Sequence, residues 1–279
     1  EITDTPKKFY QYINKNILVN PMTTNELGNL GLASLYGWTA YTIYDAVWDN
    51  DKPIKYLPVA NYCFFKMITL MQGFSNNNQN ISTIIDEIIT AIEQANHYEL
   101  TYLQGLNSIN SVNIKLKTPK ISDKSIGHAL SQLIIVAYTT DNLEYCALIR
   151  QFYEHYLTAK QLNDDAHDYL EDLISNRVTK VNQLILKDCN KLQNHNLEFK
   201  NKNTEQLLNK TFWIISQPKI SKWINLELTK AELTLKQLEP LLNTAYLMHL
   251  LDPIRNSVHK ANIERKDTIK FLKIWTKLN

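Results

Sequence analysis

All six glycines of this 279-residue chain lie before Ser131, and runs in which polar and apolar residues alternate are scarce. A sheet protein needs glycine at its tight turns and a period of two along its strands. This chain has little of either, so it reads as nearly all helix. Apolar spacing predicts helices at about 5–18, 24–50, 57–73, 81–106, 124–139, 142–175, 178–193, 203–215, 219–238, 240–251 and 254–277. Breaks are expected at Asn20-Pro21, at Lys52-Pro53, at the loop-like tract Ser75-Asn76-Asn77-Asn78-Gln79-Asn80, from Asn107 to Ser122 with its Pro119, and at Gln217-Pro218. No internal repeat and no domain boundary is visible. Residues 1–279 are therefore expected to form a single large helical bundle.

Composition limits what such a bundle can do. With 44% hydrophobic and 21% charged residues the chain can bury one large core. A net charge of +2, without a dense basic run, gives no electrostatic case for nucleic acid. Cys63, Cys146 and Cys189 lack metal-ligand spacing and read as buried thiols of a reducing compartment. No apolar run approaches the ~18 residues that span a bilayer, and no leader is visible. A soluble cytoplasmic protein is expected. A chain that starts at Glu1 without methionine is expected to be a trimmed form or a piece of something longer.

The chemistry is concentrated in Ala159–Leu173. Stepping ~100° per residue, Leu162, Ala166, Tyr169 and Leu173 form an apolar stripe, while Asn163, Asp164, His167, Asp168 and Glu171 gather on an arc of about 140°. Asp165 and Asp172 fall outside that arc. Like charges at i,i+4 repel unless water or a cation neutralises them. Mg²⁺ takes oxygen ligands, keeps waters and is usually held by one or two carboxylates together with substrate phosphate. A solvated acidic face is the plain alternative. A second stretch, Trp38 to Asp51, carries Asp45 and Asp49 one turn apart on an otherwise aromatic and aliphatic helix. Two distant helices thus each present an i,i+4 aspartate pair.

Gln161-Leu162-Asn163-Asp164-Asp165-Ala166-His167-Asp168 resembles the second aspartate-rich motif of trans-isoprenyl diphosphate synthases, a glutamine three residues before DDxxD. Asp45-Ala46-Val47-Trp48-Asp49 resembles the first, with alanine at its second aspartate. Lys124-Ser125 resembles the lysine-threonine pair between them. Asn163-Asp164-x-x-His167-x-x-x-Glu171 also resembles the NDxxSxxxE motif of class I terpene synthases, with histidine for serine. The resemblance implies the all-helical isoprenoid synthase fold, in which the two acid-bearing helices face each other across a cavity. It implies a prenyl diphosphate substrate and a metal set of Asp45, Asp49, Asn163, Asp164, Asp168 and Glu171 holding Mg²⁺. Lys124 and Gln161 would bind diphosphate, with Arg150, Arg177 and Lys180 as further candidates, and Tyr41, Tyr44, Trp48, Phe64 and Phe65 would line the cavity. Homodimers are common in the resembled family.

Chain-elongating members follow the first motif with an arginine pair and carry an early basic segment for a second diphosphate. Here the motif runs into Asn50-Asp51-Lys52-Pro53-Ile54-Lys55, and the N-terminal segment has no basic cluster. Diphosphate needs concentrated positive charge, so a one-substrate terpene synthase or lyase is favoured over a condensing prenyltransferase. Two other readings are weighed. His167-Asp168 with His128, His155 and Asp252 can be assembled into a metal-dependent phosphohydrolase of the HD type, and the chain can be a helical scaffold with incidental acids. A di-iron bundle needs two Glu-x-x-His pairs, which this sequence lacks.

Overall fold

The computed structural model describes residues 2–49, 51–76, 78–103, 118–140, 142–192 and 202–278. Its α-helices are α1 (Thr5–Tyr12), α2 (Thr24–Trp48), α3 (Leu57–Gln72), α4 (Gln79–Tyr102), α5 (Leu130–Thr140), α6 (Leu143–Ile174), α7 (Lys180–Leu192), α8 (Lys202–Thr211), α9 (Gln217–Leu238), α10 (Ala245–Met248) and α11 (Asp252–Leu278). Among the described residues there is no β-strand, and the architecture is all-α as expected. No described helix is long and apolar enough to cross a membrane.

The chain packs as two compact units. The first comprises Glu1–Gln94, Asp123–Glu154 and Glu232–Met248. Its centre is α5, whose residues from Leu130 to Ala137 are all buried. A helical stretch buried on every side and mostly apolar sits in the middle of a core, and its two polar residues, Ser131 and Gln132, bond each other at 3.0 Å. α2 starts where sequence rules place a start: Thr23 accepts the Glu26 amide N–H and Glu26 accepts the Thr23 N–H, a capping box. Glu26 also receives the Tyr138 hydroxyl of α5 at 2.8 Å. Gly31 is required by contact, since a Cβ there would lie 2.2 Å from the Thr3 carbonyl oxygen. α2 and α3 form an antiparallel pair, closed by the Met67 side chain against Gly37 and by the Tyr44 hydroxyl donating to Asn61 at 2.6 Å.

Two expected helices are shorter than their periodicity suggests, and the cause is shared. Helix 5–18 ends at Tyr12 because Ile13 turns extended and pairs with Leu242. The Asn14 amide donates to the Leu241 carbonyl at 2.8 Å and the Asn243 amide to the Tyr12 carbonyl at 2.9 Å. Those bonds also cut helix 240–251 down to α10. Backbone groups need one partner each, and here the partner lies across space.

The second unit comprises Ala95–Ser122, His155–Ala231 and His249–Asn279. Its core is built by Leu157, Leu162, Tyr169 and Leu173 of α6, Val181, Ile185 and Cys189 of α7, Leu208 of α8 and Ile220 and Ile224 of α9. The break expected at Gln217-Pro218 is absent. A π-turn, Phe212–Ser216, carries α8 into α9, with the Gln217 amide reaching back to the Phe212 carbonyl. Pro218 has no N–H to give to the carbonyls of Trp213 or Ile214. Arg265 of α11 supplies the missing donors, at 2.9 Å to Trp213 and 3.2 Å to Ile214. The proline is tolerated because another helix satisfies what it leaves open. The Asn-rich tract is non-helical at Ser75, Asn76 and Asn78, with α4 starting at Gln79. Of the break expected at 107–122, residues 107–117 lie outside the described residues.

Candidate active site

In the first unit, Asp45 sits in the last turn of α2 and Asp49 is its C-cap. Lys124, in the 3₁₀ turn Asp123–Ala129, places Nζ 3.2 Å from Asp45 Oδ1. Tyr44 and Trp48 stack at 5.5 Å with their planes 11° apart, one turn apart on the same helix. Burial pushes the Tyr44 hydroxyl above the usual tyrosine range, aided by Cys63. Tyr41 and Phe64 are half-buried, whereas Phe65 is largely exposed. Arg150 is held by Glu87 and, at 3.3 Å, by Glu154, so its charge is met by two acids of its own unit.

In the second unit, the expected arc of α6 is on the surface: Asp164, His167, Asp168 and Glu171 are exposed and Asn163 is half-buried. Partial loss of water raises the Asp164 carboxyl; Lys160, Asn163 and His167 pull it down, and Asp168 pushes it up. His167 donates from Nδ1 to its own helix, at the Asn163 carbonyl, 2.6 Å away. Its Nε2 then accepts from Ser257 of α11 at 3.4 Å.

Asp165 is the motif acid that lies outside the exposed arc. It is buried, its Oδ1 accepts from the Gln161 amide at 2.7 Å, and it also bonds the Thr179 hydroxyl. Thr179 in turn accepts the Asn182 amide N–H at 3.3 Å, which caps α7. Gln161 is thus turned along α6 to hold Asp165. Asn176 adopts a left-handed φ of 59° in the intervening turn, and Arg177 pairs with Asp172 at 3.3 Å. Burial lowers the Lys180 ammonium at the start of α7. Tyr169 stacks on Phe212 at 4.2 Å and donates its hydroxyl to Asn209.

Both motifs therefore sit on long helices of an all-α chain whose backbone is similar to that of a decaprenyl diphosphate synthase from Rhodobacter capsulatus. The TM-score is 0.65 at 14% identity, over 93% of this chain and 84% of that chain. The chain has an isoprenoid synthase-like fold. No known protein family and no curated protein matches it by sequence, so what is shared is the course of the backbone.

The donor set fits magnesium by chemistry: the oxygens of Asn163, Asp164, Asp168 and Glu171, at i, i+1, i+5 and i+8, lie along one side of α6, with Asn163 half-buried and the three acids exposed. Among the described residues no three His, Cys, Asp or Glu side chains converge into a closed metal cage. The arrangement suits an ion that keeps waters and brings phosphate with it. The HD arrangement fares worse. Both His167 nitrogens are engaged, His155 Nδ1 lies 2.7 Å from Glu227, and Asp252 holds Arg255 and His249. Asp165 had a signal in the sequence, its wheel position within about 40° of Tyr169. Thr179 had one as a threonine opening a helix. Ser257 had none.

Proposed function

We propose that this chain is a Mg²⁺-dependent class I terpene synthase-like enzyme that ionises an allylic prenyl diphosphate and guides the carbocation to cyclisation or elimination. The observation that carries the reading is the exposed carboxylate arc of α6, with Asp164 raised and Asp168 beside it, on an isoprenoid synthase-like fold. Asp164 and Asp168, with Asn163 and Glu171, would hold magnesium on one motif, and Asp45 and Asp49 on the other. Bound magnesium supplies Lewis-acid neutralisation of the departing diphosphate. Lys124 serves both states: it neutralises Asp45 in the free protein and turns to a diphosphate oxygen when substrate arrives. Arg177 and Lys180 add charge at the turn before α7. Gln161 acts through Asp165 and holds the motif in place. Tyr41, Tyr44, Trp48 and Phe64 offer aromatic faces, each worth ~0.5–2 kcal/mol to a nearby cation. The same reading carries a single catalytic domain over residues 1–279, a homodimer and a cytoplasmic location.

A condensing prenyltransferase is the second reading, favoured by the glutamine-led DDxxD at Gln161–Asp168 and by the synthase whose backbone is similar. Against it stands the missing basic cluster for a second diphosphate. Incubation with geranyl, farnesyl and geranylgeranyl diphosphate, with and without Mg²⁺ and isopentenyl diphosphate, separates the two. Hydrocarbon or alcohol without isopentenyl diphosphate supports ionisation alone. Longer diphosphates that form only with it support condensation, and Mg²⁺-independent or absent turnover removes both. Asp164→Asn should lower turnover roughly 100-fold or more, about 3 kcal/mol of barrier. It should leave the metal-free protein no less stable, because a like-charge repulsion is relieved. A variant that melts far below wild type yet keeps the full thermal shift from Mg²⁺ plus pyrophosphate would make Asp164 structural.

A further inference from the structure

α3 has two apolar faces and only one of them is used. Ala60, Cys63, Met67 and Met71 are buried, and Met67 closes on Gly37 of α2. Turned by about half a circle from that face, Val59, Tyr62 and Phe65 stand in solvent, and the 3₁₀ turn before the helix adds Ile54 and Tyr56. Ile54 is 73% exposed and Phe65 65%. Of the eighteen large apolar side chains exposed among the described residues, these five fall between positions 54 and 65, whereas the rest are scattered along the chain. The five together expose on the order of 500 Å² of apolar surface, the size of the largest patch on a typical monomer, which is often a functional one.

The rim of the patch is basic. Lys52 and Lys55 are exposed before it and Lys66 lies beside it, with Asp51 the one acid between 51 and 72. Lys55 Nζ sits 5.6 Å from the centre of the Tyr56 ring and Lys66 Nζ 5.5 Å from that of Tyr62. Each of these lysines thus lies beside a tyrosine ring, a pairing that suits a boundary between an apolar and an aqueous phase. Anionic headgroups complement the lysines, while the aliphatic and phenyl groups reach the acyl boundary. α3 has 16 residues and no described helix can span a bilayer, so the contact lies in the plane of the interface.

We propose that the face formed by Ile54, Tyr56, Val59, Tyr62 and Phe65, rimmed by Lys52, Lys55 and Lys66, docks the protein on anionic lipid bilayers. This holds whether or not the catalytic reading is right, and its test uses neither metal nor prenyl substrate. The protein is co-sedimented with vesicles of phosphatidylcholine alone and of phosphatidylcholine mixed with phosphatidylglycerol, at low and high salt. Binding is expected to the mixed vesicles and to weaken with salt. Tyr62→Ser with Phe65→Ser should reduce the partition coefficient about tenfold or more, and Lys55→Gln with Lys66→Gln roughly tenfold. The lysine pair leaves the apolar packing untouched, so it still decides the matter if the serine pair lowers stability. Leu226→Ser with Leu233→Ser, equally exposed on α9, should change nothing. Absence of binding to the mixed vesicles overturns the proposal, as does binding that the α3 variants leave unchanged. Self-association abolished by the Tyr62/Phe65 pair, without vesicle binding, assigns the face to a second copy and overturns it as well.

Discussion

Asp165→Asn should make the metal-free protein more stable, and increasingly so as pH rises to about 7. Asp165 is 6% exposed, and loss of water is the largest influence on its carboxyl. Gln161 and Thr179 pull it down, Asp172 and Asp164 push it up, and the balance leaves it at about 7. In the unfolded chain the same carboxyl titrates near ~3.9. Between those two values the folded protein keeps a proton that the unfolded chain has released, so stability falls as pH rises, at up to about 1.4 kcal/mol per unit. Over about three units the loss is on the order of 4 kcal/mol, and above about pH 7 both states are ionised and the slope ends. Asparagine removes this slope while still accepting from Gln161. Urea unfolding of both proteins in EDTA at pH 5 and pH 8 isolates the effect, because other groups titrate alike in the pair and cancel in the difference. The linkage costs wild type about 1.5 kcal/mol at pH 5 and about 4 at pH 8, so the variant's advantage is expected to grow by roughly 2–3 kcal/mol between the two. A difference that stays flat with pH, or a variant less stable at pH 8, would refute the buried-acid reasoning.

His167→Ser should keep Mg²⁺-dependent turnover within about tenfold, roughly 1.4 kcal/mol, measured on whichever prenyl diphosphate is accepted; complete loss would revive the HD reading. Lys124→Gln should change stability by less than ~1 kcal/mol, since its pair with Asp45 is partly exposed. It should weaken pyrophosphate binding about tenfold or more by calorimetry in Mg²⁺, and equal affinity in variant and wild type would remove Lys124 from the site. Cys63, Cys146 and Cys189 are buried free thiols, and burial pushes Cys146 to about 12. Native protein at pH 8 should therefore resist iodoacetamide while urea-unfolded protein takes three labels by mass spectrometry; rapid native labelling of Cys146 would contradict its burial.

What the sequence made legible is governed by the range of the interactions involved. Helix identity depends on apolar spacing within a few turns, and α2, α3, α4, α6, α7 and α11 lie close to where that spacing puts them. The failures occur where a distant partner decides. Ile13 leaves its helix for Leu242, and Arg265 supports the π-turn before Pro218 from α11. Neither partner can be inferred from local periodicity. The Asn163–Glu171 arc was legible for the same reason the helix was, since one helical wheel contains all of it. Ser257 was not, because its approach to His167 depends on how α11 packs.

Asp165 shows how one helix can answer two demands with residues of one type. Asp164 and Asp165 are neighbours in sequence but point about 100° apart, so one meets water and the other the core. The exposed acid gains from a cation and is costly without one. The buried acid, with its Gln161 and Thr179 partners, ties the motif helix to the cap of α7, where Lys180 begins the next helix. Replacing Asp164 should therefore be felt when magnesium and diphosphate are added. Replacing Asp165 should be felt in their absence, as a change in how stability depends on pH. If both substitutions gave the same phenotype, the helix would have only one acidic function, and the division argued from its wheel would fail.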